Sequence, residues 1–96
     1  MIYEWDPEKA RRNLRHHGVS FEEAATVFLD PLAMTYPDPD VSNQEDREIT
    51  IGYSRKQRLL FVSHVRRKNR TRIISAREAT RRERKQHEEG IGQESE

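Results

Sequence analysis

Hydrophobic and polar residues follow short repeating patterns along most of this chain, and each pattern predicts one element. Alternation of apolar and polar residues is typical of a half-buried strand, and a repeat every three to four residues is typical of a helix. We therefore predict strands at 2–5, 32–36, 47–54, 59–65 and 70–77, and helices at 7–17, 20–30 and 80–89. Within the first helix, Ala10, Leu14 and His17 fall on one face, with Lys9 and Asn13 along its edge.

The ends of the predicted helices carry recognisable capping residues. Asp6-Pro7 can open the first helix, and Gly18 can end it in the left-handed conformation. Ser20 to Glu23 and Thr80 to Glu83 both have the S/T-x-x-E form of a capping box. The third helix has almost no apolar face, so core packing alone does not explain it, and a bound partner is one way to order it.

The order of the elements predicts an α+β fold. Two N-terminal helices would pack on a twisted, mostly antiparallel sheet, followed by a basic C-terminal helix. Short turns at 55–58 and 66–69 predict that the strands between 47 and 77 form an antiparallel meander. We expect a single domain at 1–90, a disordered tail at 91–96 and a flexible polar loop at 37–46.

Composition narrows the class of protein. The chain has 96 residues, of which 32% are hydrophobic and 36% charged, so its core must be thin. The absence of cysteine excludes a disulfide framework and a thiolate metal site. No segment has the apolar run of a signal peptide or a membrane span, so we expect a cytoplasmic protein without a membrane partner.

Charge is distributed unevenly along the chain, although the net charge is only +1. Residues 55–87 contain 13 Lys and Arg against 2 acids, and residues 1–54 contain 5 against 11. A small protein with such a basic half is typical of one that binds a polyanion such as nucleic acid.

Several blocks of sequence together resemble one known family. The blocks are W-D-P-E-K-A-R-R-N-L-R-H-H-G-V-S-F-E-E-A-A-T-V-F, D-P-L-A, I-T-I-G and R-I-I-S-A-R-E-A-T-R-R-E-R. In this order, over residues 3–89, they resemble the BrnT family of bacterial toxins. One departure is His16, where the family usually has a lysine.

The resemblance implies a fold, an activity and a partner. The implied fold is RelE-like, and the implied activity is that of a metal-independent endoribonuclease, the toxin of a type II toxin–antitoxin pair, which arrests translation. The implied partners are RNA and a small BrnA-like antitoxin with a ribbon-helix-helix part, through which alone operator DNA would be contacted. No cofactor or metal is expected.

Metal-free RNA cleavage by the 2′-OH needs one group to accept a proton, one to donate a proton and fixed cations beside the phosphate. Arginine suits the third task but is a poor base, because it stays protonated. The candidates for proton transfer are His64, Glu78, Glu83, Lys9, His16 and His17.

We place the predicted catalytic site around His64, Glu78, Arg77 and Arg81, with the two arginines near the start of the last helix. Further RNA contacts are predicted from four basic residues: Arg66, Arg72, Arg82 and Lys9. If His64 shares a face with Arg66 and Arg72, nearby cations would favour its neutral form.

Other interpretations remain open at this point. His64 can equally be a structural histidine at a strand end, the arginines can form a solvated surface, and His17 fits a packed or helix-capping role. The acidic residues between 38 and 46 are typical of a solvated loop, not of a calcium loop. For the whole chain, the alternatives are a non-catalytic nucleic-acid-binding module and a protein-interaction subunit.

Overall fold

The computed structural model describes residues 2–39 and 46–94. Within these ranges the chain forms five strands and three α-helices, and a 3-10 turn at Thr26–Leu29 continues the second helix. None of these helices is long and apolar enough to cross a bilayer. The elements are β1 Ile2–Glu4, α1 Pro7–His17, α2 Phe21–Ala25, β2 Met34–Pro37, β3 Arg47–Tyr53, β4 Leu59–Arg67, β5 Arg70–Glu78 and α3 Arg81–Glu94.

The five strands form one sheet in the order β1-β5-β4-β3-β2. All neighbours are antiparallel except β1, which runs parallel to β5. The predicted α+β class and the meander β3-β4-β5 are therefore confirmed. The first strand lies at the edge beside β5, where it pairs only with residues 70–72.

The pairing of β4 with β5 contains one irregularity. Ser63 lies opposite Ser75, but the next residue, His64, lies opposite Ile73. Ile74 therefore has no partner on β4, as in a β-bulge.

This extra residue decides which side of the sheet the β5 arginines occupy. Side chains alternate between faces along a strand, so one inserted residue exchanges the faces of everything beyond it. As a result, Arg70 and Arg72 lie on the same face as Ser75 and Arg77. We predicted from sequence parity that Arg72 could share a face with His64, and this is wrong because of the bulge.

One face of the sheet, here called the core face, packs against α1, α2 and the 3-10 turn. Trp5 meets Phe21 edge to face, with 5.9 Å between ring centroids, and closes one side of the core. The fully or nearly fully buried members of this core are apolar: Val19, Phe21, Ala24, Val27, Leu60, Val62, Ile73 and Ala76.

The third helix lies on the opposite face of the sheet. Its Glu83, Gln86 and His87 border a small hollow whose other wall includes Ile51 and Phe61. His87 is only 7% exposed, and its ring lies 6.2 Å from that of Tyr53. The sequence showed no apolar face on α3 because a histidine supplies the main buried contact.

Some predicted boundaries differ from the structure. The predicted helix 20–30 is a short α-helix followed by a 3-10 turn, and Thr26 Oγ1 donates a hydrogen bond to Glu23 O (2.6 Å) where the two meet. The last helix does not stop at Glu89 but continues through Gly90, since one glycine costs a helix only about 1 kcal/mol. Positions 40–45 of the predicted loop and 95–96 of the predicted tail lie outside the described residues.

A buried ion pair joins the helical layer to the sheet. The Glu23 side chain is 1% exposed and receives hydrogen bonds from Arg58 Nε (2.9 Å) and Ser54 Oγ (2.6 Å). Arg58 also donates to Gly18 O (3.0 Å). These bonds, led by those from Arg58, hold the pKa of Glu23 below its ordinary value although burial acts in the opposite direction.

Only half of the first predicted capping box forms as expected. Ser20 Oγ accepts from Glu23 N (3.0 Å), but the Glu23 carboxylate turns inward to Arg58 instead of back to the helix end. The second box is complete, because Thr80 N donates to Glu83 Oε1 (2.9 Å) and Glu83 N donates to Thr80 Oγ1 (3.1 Å).

Replacing Arg58 with Ala is expected to lower the free energy of unfolding by about 2–4 kcal/mol, because Glu23 stays buried without its partner. Urea unfolding monitored by circular dichroism measures this. Arg55→Ala, which removes an exposed arginine three residues away, serves as the control and is expected to change stability by less than about 0.5 kcal/mol. Equal effects of the two substitutions would contradict the role of the ion pair.

Candidate functional site

Five arginines lie on the same side of the sheet as α3. The register places Arg47 and Arg72 on either side of Val65, and places Arg77 opposite Phe61. Strand alternation puts all of these on one side. We call this surface the arginine face and define it by Arg47, Arg67, Arg70, Arg72 and Arg77.

A hollow of about 280 Å³ opens on this face beside the start of α3. It combines two arginines, a histidine, two serine hydroxyls, one aromatic ring and the carboxylate of Asp38. The cations, the hydroxyls and the ring are suited to a ribose and its phosphates. We call it the arginine cavity, and its lining residues are His17, Asp38, Arg47, Ile49, Phe61, Ser63, Ser75, Ala76 and Arg77.

Arg77 is held in the cavity wall by an ion pair and by packing on an aromatic ring. Its Nη1 and Nη2 donate to the two carboxylate oxygens of Glu83 at 2.8 and 3.0 Å. The guanidinium carbon lies 4.5 Å from the centre of the Phe61 ring. A planar guanidinium held in this way is fixed in orientation, and the pair raises the pKa of Arg77.

The same contact determines what Glu83 can do. The hydrogen bonds from Arg77 lower the pKa of Glu83 from 4.5 to about 2, with a smaller contribution from the Thr80 backbone. A carboxylate with so low a pKa is a weak proton acceptor. Glu83 was one of the proton-transfer candidates, but it serves instead as an anchor for Arg77 and for the N-terminal end of α3.

His17 reaches the arginine cavity from the end of α1. Gly18 follows in the left-handed conformation (φ 68°) and turns the chain away, so that His17 remains exposed at the cavity wall. The buried residue of α1 is Asn13, which we placed along the edge of the face that Ala10, Leu14 and His17 share, whereas Leu14 is 52% exposed. The interpretation of His17 as a packed residue is therefore wrong.

The structure places His64 on the core face, away from Arg77. Its side chain is 4% exposed, its Nε2 lies 2.7 Å from Thr50 Oγ1, and its ring meets Phe28 edge to face at 4.9 Å. Burial is the main cause that lowers the pKa of His64. The two residues that we expected to work together are thus separated by the sheet.

Glu78 and Arg81 also lie apart from the cavity lining. Glu78 ends β5 with its carboxylate 3.7 Å from Arg58, beside the Glu23 ion pair. Arg81 is exposed in the first turn of α3, as is Arg82.

The other predicted RNA contacts are dispersed. Arg72 belongs to the arginine face, where its Nη1 donates to Glu4 Oε2 at 2.8 Å. Arg66 lies beside Glu48 at the far end of β4, and Lys9 lies on α1 beside Ile74. Of the eight predicted site residues, the structure thus brings two, Arg72 and Arg77, to the arginine face.

Sequence reasoning missed several residues of the cavity. Arg47 continues the alternation of Ile49 and Ile51, so this signal was present in the sequence. Ser63 lies opposite Ser75 because of the bulge, and the sequence carried no signal for a bulge. Within residues 2–39 and 46–94, no three histidine or acidic side chains are grouped as metal ligands would be.

Comparison with known proteins identifies the family. The sequence profile of the ribonuclease toxin BrnT of type II toxin–antitoxin systems matches residues 5–83. This chain belongs to that family. The BrnT resemblance found in the sequence is therefore confirmed, and the protein is a ribonuclease toxin of the BrnT type.

A solved BrnT structure shows the same fold. The chain is similar to the crystal structure of the Brucella abortus ribonuclease toxin BrnT, with a TM-score of 0.67 and 21% sequence identity. The match covers 84% of this chain and 100% of that one. No functionally curated protein matches this chain significantly.

Replacing Glu83 with Gln is expected to destabilise the protein by about 1 kcal/mol at pH 7, through loss of the charged pair with Arg77, because the glutamine oxygen can still accept from Thr80 N and keep the cap. Because the folded pKa of about 2 lies below the ordinary 4.5, this stabilisation is complete above pH 5. It should disappear as the pH falls from about 5 towards 2. Urea unfolding of both proteins at pH 7, 5 and 3 measures the difference.

Glu89→Gln, at an exposed position of the same helix, is the control and should have little effect at any of these pH values. A loss in the Glu83 variant that is the same at pH 7 and pH 3 would contradict the assignment of a charged Glu83–Arg77 pair.

Proposed function

We propose that this BrnT-family protein cleaves RNA in the arginine cavity, by attack of a ribose 2′-OH on the adjacent phosphorus and without a metal ion. The observation that supports this proposal most strongly is the meeting of Arg47, Arg77 and His17 around one hollow. It provides two cations for phosphate, of which Arg77 is held in place by Glu83, and one imidazole for proton transfer. The proposal implies a RelE-like toxin that arrests translation in the cytoplasm.

The two arginines hold the scissile phosphate and stabilise its extra negative charge in the transition state. Arg77 already presents its planar fork to a carboxylate, and a phosphate oxygen pair has matching geometry. RNA therefore competes with Glu83 for Arg77. Ser63 and Ser75, which face each other across β4 and β5, offer hydroxyl groups to the ribose or phosphate.

His17 carries out one of the two proton transfers. Imidazole can both accept and donate protons near neutral pH, and His17 is exposed at the cavity wall. His64 remains a predicted catalytic residue, but its burial on the core face favours a structural role. The 2′-OH requirement makes the reaction specific to RNA, since DNA lacks the nucleophile.

The rest of the arginine face guides the RNA strand to the cavity. Arg67 and Arg70 are exposed beside Arg72, so a phosphate backbone can follow them. Exposed Arg81 and Arg82 at the start of α3 extend the basic surface, while Arg66 and Lys9 lie outside it.

The proposed partner is a small BrnA-like ribbon-helix-helix antitoxin, which alone would contact operator DNA. An acidic or amphipathic segment of the antitoxin would cover the arginine face and exclude RNA. Carboxylates suit this surface, because Glu4 already binds Arg72 at 2.8 Å and Glu83 binds Arg77. Carboxylates of the antitoxin would then bind the arginines that the isolated toxin pairs with its own acids.

Incubation of the purified protein with single-stranded RNA in excess EDTA tests the reaction class. We expect cleavage that leaves 2′,3′-cyclic phosphate ends, and we expect fully 2′-O-methylated RNA to bind without being cut, because its nucleophile is blocked. Chromatography and mass spectrometry of the products identify the ends. RNA that is bound but intact would indicate a binding module, and cleavage only after addition of Mg²⁺ would contradict metal independence.

His17→Ala is expected to lower kcat by about 10²–10³-fold, because a proton-transfer group is lost. His16→Ala is the matched control, since His16 is an exposed histidine next in sequence that does not line the arginine cavity. Single-turnover cleavage of a defined RNA measures both. If a folded His64→Gln protein loses activity while His17→Ala keeps it, the reaction takes place on the core face and the proposed site is wrong.

A further inference from the structure

Among the described residues, no strand lies beside the edge of β5 next to the arginine cavity. The first strand pairs with β5 only at residues 70–72, so the part of β5 from Ser75 onward is not covered by β1. In an antiparallel ladder, the N–H and C=O of one residue point to the same side. Ala76 lies opposite Val62 on β4, and its backbone groups instead meet a side chain of α1.

That side chain is Asn13. Its Nδ2 donates to Ala76 O at 2.8 Å, and its Oδ1 accepts from Ala76 N at 3.1 Å. Its Nδ2 also donates to Val19 O at 2.9 Å, just after α1 ends. Asn13 is 7% exposed, so its carboxamide is a buried substitute for a neighbouring strand.

One end of this contact lies in the arginine cavity, and the other lies one helical turn before a residue of its lining. Ala76 lies in the cavity lining between Ser75 and Arg77. His17 follows Asn13 by four residues, so it lies on the same side of α1 one turn later. The amide therefore joins the helix that carries His17 to the strand that carries Arg77.

We infer that Asn13 is a positioning residue for the cleavage reaction, which it serves by fixing the distance between His17 and the phosphate site at Arg77. This inference rests on the role proposed for His17. Asn13 does not line the cavity, so it acts only through the end of α1. Its carboxamide both donates and accepts hydrogen bonds, which no apolar side chain of similar size can do.

A double-mutant cycle distinguishes positioning from general stabilisation. Asn13→Asp keeps the shape and one acceptor, but it removes both Nδ2 bonds and places a carboxylate oxygen against the carbonyls of Ala76 and Val19. The end of α1 should move, and a displacement of about 1 Å can reduce catalysis by about 10²-fold. We expect kcat to fall by about 10–100-fold, with KM changed less than about threefold, because the arginines are untouched.

In a His17→Ala background, the same Asn13→Asp substitution should change kcat by less than about twofold, because the group that it positions is already absent. Equal losses in both backgrounds would overturn the inference and leave Asn13 as a structural residue. Asn13→Ala, which removes all three bonds without adding a charge, provides a second cycle if the Asp variant unfolds. Asn69→Asp, in the exposed turn before β5, is the control for the chemical change.

The failure of this inference can be told apart from failure of the proposed function. If His17→Ala alone keeps the wild-type kcat, the proposed role of His17 is wrong, and the inference falls with it. If His17→Ala is impaired but the cycle is additive, only the positioning role is wrong. Thermal unfolding of each variant ensures that all rates refer to folded protein.

Discussion

The register of β4 against β5 is the constraint on which the proposed site depends. One extra residue, Ile74, changes the side on which Arg70 and Arg72 emerge and brings them to the face of Arg77. Without it, these two arginines would point into the layer of α1 and α2, where burial of unpaired charge is costly. The bulge thus places these arginines on the outer face of the sheet and leaves the other face to the apolar core.

The cations of this surface are balanced by the protein's own acids. Glu83 binds Arg77, and Glu4 binds Arg72 while approaching Arg70 at 3.7 Å. Such pairs orient the guanidinium groups in the absence of RNA, and each must be exchanged for a phosphate when RNA binds. Partly exposed ion pairs contribute little free energy, so this exchange is not a large barrier. Salt should nevertheless weaken RNA binding, since phosphate contacts displace counterions.

Much of the fold could be predicted from local signals, whereas the site could not. Asp6, Gly18 and the Thr80–Glu83 box set helix ends through short-range bonds that a sequence displays directly. The face of His64, in contrast, depends on strand pairing and on packing against Phe28. The role of Asn13 depends on an edge 63 residues away, and that of His87 on a sheet face that the sequence does not reveal. The uneven charge distribution correctly indicated that the ligand is a polyanion. It also counted Arg58, however, whose side chain is paired with the buried Glu23.

The most direct test of the central claim is to map where RNA touches the protein. Isotope-labelled protein would be titrated with a short 2′-O-methylated RNA, and amide chemical shifts would be followed by NMR. The account predicts that the largest shifts occur at Arg47, Ser63, Ser75 and Arg77, on the arginine face. Shifts concentrated instead around Arg58 and Glu78, or on the outer side of α1, would contradict it.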